Sequence, residues 1–243
     1  MPTIENNGTT IYFETFGDGF PILTFAPAGL ASVIEVWSDA SAPINPTTEF
    51  AERYQVIAMD QRNAGGASHG PISASDSWDT FTADHIAVLD ALGVEKCHLY
   101  GQCIGGPFIF NLIKAQPDRI ASAVIAQPIG RVAAQLPPRT ERFNKWAASL
   151  TGHPEVTEAV LDSFYTNLYA PGFTYCVDRD FVSACTTPSL VLAGNDAAHP
   201  YAIAEELAAL LPDAEFIPEW KEGAALAEAR IKIAAFLAAN TSG

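Results

Sequence analysis

Basic residues are scarce in this chain: 13 Lys and Arg stand against 28 Asp and Glu, a formal net charge of -15. Such a surface repels phosphates and acidic lipids, which argues against a nucleic-acid footprint and against electrostatic attraction to an anionic membrane. Long apolar runs are missing too. The polar start, residues 1–10, lacks a basic segment followed by an apolar one, so neither a membrane span nor a secretory leader is expected. Cysteine is confined to Cys97, Cys103, Cys176 and Cys185, without metal-ligand spacing or the density of a disulfide scaffold. These absences leave a cytoplasmic protein with reduced thiols that acts on a small-molecule substrate without metal or cofactor; a homodimer stays open.

What is present is an ordinary globular balance, 49% apolar over 243 residues, enough for one full core. Short β-like runs at 10–15, 22–26, 54–59, 97–100, 123–126, 189–193 and 215–217 alternate with helical patterns at 79–92, 104–116, 200–211 and 223–239. That rhythm predicts an α/β fold with a mainly parallel sheet covered by helices. It lapses between Gln127 and Cys185, where two helical patterns, 139–150 and 155–169, precede a turn at Pro171 and Gly172. The expectation is a core of 1–126 and 186–243 interrupted by a small helical cap, 127–185. The cap is rich in aromatics, which pack it onto the core or line a pocket. It holds five basic residues against six acids, a net charge of -1. This local excess of arginine over the chain average would suit a substrate carboxylate. Trp146, Arg142 and Tyr165 are its candidate substrate-binding residues.

Gly101-Gln102-Cys103-Ile104-Gly105-Gly106 joins a β-run to a helical one. Glycines at those places permit a strand-to-helix turn too tight for larger side chains, and such a turn exposes its central residue at the carboxyl end of a sheet. With ILTFAPAGL from Ile22, DQRNAGGAS from Asp60 and LVLAGNDAAHP from Leu190 in the same order, the whole chain resembles the α/β-hydrolase superfamily, in a variant with cysteine at the nucleophile position. The resemblance implies Cys103 as nucleophile, the backbone N–H groups of Ile104 and Ala28 as oxyanion donors, and Asp196 as the triad acid. Pro27 has no N–H to give.

One departure stands out. The family's histidine follows the last strand, yet no histidine occurs after His199. Of the five, His98 lies in a strand, His85 on the apolar face of a helix, and His69 and His153 in turns. His199 comes three residues after Asp196, in a loop at the carboxyl end of a strand and just before a helix, and is the expected base. A helix N-terminus disfavours its positive charge and would lower its pKa. A thiol ionises more readily than an alcohol, so cysteine tolerates a displaced histidine. The chemistry expected is cleavage of an ester, lactone or thioester of a small apolar or aromatic substrate through a Cys103 acyl-enzyme. Acyl transfer on the same scaffold is an alternative, as is a degenerate member that only binds ligands or partners.

Overall fold

The apolar runs pair into one eight-stranded sheet of order β1-β2-β4-β3-β5-β6-β7-β8 in the computed structural model, which describes residues 2–132 and 136–241. The strands are β1 (Thr3–Asn6), β2 (Thr9–Phe16), β3 (Phe20–Phe25), β4 (Tyr54–Met59), β5 (Cys97–Gln102), β6 (Ile120–Ala126), β7 (Ser189–Leu192) and β8 (Ala214–Ile217). Pairing is parallel from β4 to β8 and antiparallel for β1 and β2. The sequence reading misses β1. Its polar residues hide an edge strand whose Ile4 lies opposite Ile11.

Alternation within the strands assigns the two faces. Leu23, Phe25, Leu99, Ala123, Ile125 and Val191 enter one buried cluster; Ile22, Ala26, Tyr100, Val124, Leu190 and Leu192 enter the other. Both faces are covered by helices, as a parallel sheet requires. The helices are α1 (Pro46–Glu49), α2 (Trp78–Ala91), α3 (Gly105–Ala115), α4 (Glu141–Ser149), α5 (Glu158–Tyr169), α6 (Arg179–Ala184), α7 (Tyr201–Leu210) and α8 (Gly223–Ala239). Residues of α2, α3 and α7 pack in the first cluster, and those of α8 in the second. Among the described residues no helix is long and apolar enough to cross a membrane.

Helices α4, α5 and α6 lie between β6 and β7, within the segment expected to form a cap; residues 133–135 of that segment lie outside the described ones. Helix α6 was not foreseen, being only six residues long. Phe143, Trp146, Phe164 and Leu168 of α4 and α5 are buried in the first core cluster. The ring of Trp146 stacks on Phe164 at 5.3 Å, and its indole N–H donates to the carbonyl of Asn63 at 2.8 Å.

The order β4-β3-β5 places the chemistry. The chain leaves β3 for β4 on one side and returns to β5 on the other, so β3 and β5 are neighbours whose connections depart in opposite directions. Open α/β sheets bind ligands in the crevice at the carboxyl ends of such a strand pair.

Candidate active site

Cys103 follows β5 directly and takes a left-handed backbone, φ 61°. A side-chain-bearing residue there stores roughly 1–3 kcal/mol of strain and persists only when its surroundings over-determine it. Its N–H donates to Ala126 at 3.0 Å, and its carbonyl accepts from Gly106 at 3.2 Å and Ile129 at 3.3 Å. A Cβ on Gly101 would lie 2.9 Å from the backbone of Gly105, and one on Gly105 3.0 Å from the Phe25 carbonyl oxygen. The turn therefore closes only with glycine at 101, and α3 approaches β3 tightly through Gly105.

The neighbouring loop, after β3, carries Ala28 at φ 92° and Gly29 at φ 63°. Among the described residues neither the Ala28 nor the Ile104 N–H makes a hydrogen bond, which leaves both available to a ligand. Gly29 rather than Ala28 is the residue of this loop that lines the cavity over Cys103.

The third contribution comes from the loop after β7. A Cβ on Gly194 would lie 2.1 Å from the His199 carbonyl oxygen, so glycine lets the loop fold back on itself. Within it Asp196 Oδ1 accepts the backbone N–H groups of Ala198 and His199, both at 2.9 Å. His199 Nδ1 sits 2.9 Å from Oδ1 and 3.0 Å from Oδ2 of the same carboxylate. Partial burial raises the Asp196 pKa, but the His199 ring and the backbone donors outweigh it and the carboxyl ends below its ordinary range. Lys221, from the loop after β8, bonds Asn195 Oδ1 at 2.5 Å and lies 3.7 Å from Asp196 Oδ2.

His199 Nε2 is buried with no hydrogen-bond partner of good geometry among the described residues, although the Cys103 side chain interacts with the ring. Burial lowers the imidazole pKa, yet the sulfur of Cys103, through its proximity and charge, together with Asp196, raises it overall. This corrects the expectation that the start of α7 depresses it. A fraction of a dipole charge is outweighed by the two side chains that hold the ring, Cys103 and Asp196.

Other histidines stand apart. His98 hydrogen-bonds Ser122 and Thr241 near the start of β5, the end away from Cys103. His85 is buried against Phe25 and Phe108, bonds Gln61 at 2.9 Å, and is pushed down to about 3 by burial and Arg62. His69 and His153 contact Ala67 and Glu155. After β8, where the family pattern puts histidine, Trp220 is buried and donates to the Ala193 carbonyl at 2.7 Å.

A cavity of about 580 Å³ opens above these loops, lined by Cys103, His199, Gly29, Arg142, Tyr165, Tyr169, Tyr175 and neighbours. Trp146 is not among them, which corrects its assignment as a substrate contact: its stacking and hydrogen bond fix α4 to the core instead. Tyr169 and Tyr175 were legible only as cap aromatics. Tyr175 reaches the cavity through a left-handed backbone, φ 67°, in a turn closed by Phe173 and Thr174 N–H groups on the Val177 carbonyl. Among the described residues no cluster of three His, Cys, Asp or Glu side chains could hold a metal, and all four cysteines are free.

Residues 27–146 match the family model described as alpha/beta hydrolase fold. The chain has the alpha/beta hydrolase fold. Known structures share this fold over its whole length: an N-acyl homoserine lactone degrading enzyme, Est816 (TM-score 0.70, 24% identity, 97% of this chain and 100% of that one), and an enol-lactonase from Burkholderia xenovorans LB400 (TM-score 0.68, 19% identity, 98% and 100%). By sequence this α/β-hydrolase-fold chain is similar to a putative carbamate hydrolase, RutD, of Azorhizobium caulinodans, 34% identical over 128 residues, and to epoxide hydrolase B of Mycobacterium tuberculosis, 30% identical over 158. The matches take in 51% and 59% of this chain but only 43% and 44% of those relatives, so the chain spans less than half of their length.

Proposed function

We propose that this protein is a hydrolase that cleaves a small ester, lactone or thioester through an acyl-enzyme on Cys103. The observation that carries the reading is the Asp196–His199 pair, whose imidazole lines the same cavity as Cys103 at the elbow and interacts with its side chain. Names among the relatives and structural neighbours, a carbamate hydrolase and two lactone-cleaving enzymes, support acyl chemistry.

In this reading His199 Nε2 takes the proton of Cys103, and the sulfur attacks the carbonyl carbon. Charge developing on the carbonyl oxygen meets the Ile104 N–H and the loop at Ala28 and Gly29, the electrostatic term that dominates many such reactions. The tetrahedral intermediate collapses, the C–O or C–S bond breaks, and the leaving group departs with the proton from His199. Water then attacks the thioester, gives its proton to His199, and releases the acid and the thiol. Asp196 holds the ring with Nδ1 toward itself and Nε2 toward sulfur, the orienting role of a triad carboxylate.

The test is rapid quenching during turnover of a 4-nitrophenyl ester, with intact-mass analysis. An acyl adduct mapped to Cys103, absent in Cys103→Ala, is expected. Undiminished turnover by Cys103→Ala overturns the reading.

A further inference from the structure

The cavity over Cys103 presents basic side chains in a molecule whose net charge is strongly negative. Its wall includes Arg131 and Arg142 and no Asp or Glu among the described residues. The nearby Asp196 carboxylate is already engaged by the ring and backbone of His199. Arg142 differs from the ion-pairing arginines. Arg62, Arg119, Arg139, Arg179 and Arg230 each hold an acid. Arg142 has no ion pair or hydrogen bond among the described residues, although acids outnumber basic residues about twofold.

Its position is fixed by geometry. The Arg142 stem passes beside the loop that flanks Cys103, since a Cβ on Gly29 would lie 3.2 Å from Arg142 Cδ. The Tyr169 and Tyr175 hydroxyls make no hydrogen bond among the described residues, and their rings meet edge to face at 5.2 Å on the cavity wall. Each phenol feels Cys103 and one arginine at once: burial, the thiol and other phenols raise Tyr169 while Arg142 lowers it, and burial and the thiol raise Tyr175 while Arg131 lowers it. Cation, phenols and thiol thus share one small space. A planar guanidinium with two idle O–H donors nearby is a recognition set for a carboxylate, which accepts several such bonds at once.

We propose that the substrate of this cavity is a small ester or lactone carrying a carboxylate, held by Arg142 and the hydroxyls of Tyr169 and Tyr175 while its carbonyl meets Cys103. The assignment rests on Cys103 being the reacting group.

Alkylation of Cys103 by iodoacetate, an anion, and by iodoacetamide, its neutral counterpart, tests it without knowledge of the substrate. The ratio of the two rate constants is followed by peptide mass at low ionic strength and compared with that of N-acetylcysteine. The wild-type ratio is expected to exceed the reference about tenfold, the scale of one charge-assisted contact. It should return to near the reference in Arg142→Gln and stay at the wild-type value in Lys145→Gln, which removes an exposed cation of the same helix outside the cavity wall. A wild-type ratio no higher than the reference overturns the proposal, as does a raised ratio that Arg142→Gln leaves in place. Cys103 inert to both reagents overturns the parent reading and this inference together, whereas Cys103 reactive to both without preference overturns this inference alone.

Discussion

At the scale of single residues, the neighbours of His199 set its titration. Cys103 and Asp196 together raise its pKa against burial, so removing either partner lowers it. NMR titration of the imidazole should move down in both Cys103→Ala and Asp196→Asn; an unchanged midpoint in the first would mean that sulfur and ring do not communicate. A folded pKa above the unfolded value also has a thermodynamic consequence. The proton is bound more readily in the folded state, so this stabilisation is complete below the unfolded value of about 6.5 and disappears as pH rises through the folded one. The urea-midpoint difference between wild type and His199→Gln should shrink over that window. Sequence offers Cys103, Asp196 and His199 as candidates through the elbow glycines and the order of the strands, and the structure puts His199 against Asp196 and on one cavity wall with Cys103. Tyr169 and Tyr175 could not be assigned to the site, because a single left-handed residue turns one of them inward and no pattern announces it.

The loop after β7 and the first turn of α4 carry the predictions at the scale of elements. Gly194→Ala places a methyl 2.1 Å from the His199 carbonyl oxygen, which forces the loop open and displaces ring and carboxylate together. Misplacement on the order of 1 Å costs about a hundredfold. A fall of that size in kcat/KM is expected, and a fall of less than threefold would show that the loop tolerates the methyl. Thr140 caps α4 by accepting the Phe143 N–H at 3.2 Å, so Thr140→Ala should cost about 1 kcal/mol in chemical denaturation. The same cap explains why the helix read from sequence over 139–150 begins at Glu141, and Thr157 likewise moves the next start from 155 to 158. Hydrophobic period tells that a helix exists, while one hydroxyl sets where it begins. β1 and α6 stayed hidden for other reasons: β1 is a polar edge strand without an apolar run, and the six residues of α6 are too few for a helical period to show.

Over the whole molecule, aromatic residues of α4 and α5 run into the same buried cluster as one face of the sheet. Trp146→Ala removes a stacked, hydrogen-bonded indole from that junction and should destabilise by roughly 3–5 kcal/mol in urea unfolding; a cost below 1 kcal/mol would mean that the ring is not packed as described. The alternating rhythm made the parallel sheet legible from sequence, since each strand alternates its side chains between two covered faces. The volume over Cys103 beside α4 and α5 was not legible, since it depends on which aromatic of each helix turns down. Asp196 and His199 arise from one turn, residues 194–200, instead of two loops brought together by separate strands. In the proposed mechanism, a part that the family pattern gives to the far end of the chain becomes a portable cassette. Transplanted into a relative of this fold whose own histidine has been deleted, those seven residues would arrive already aligned.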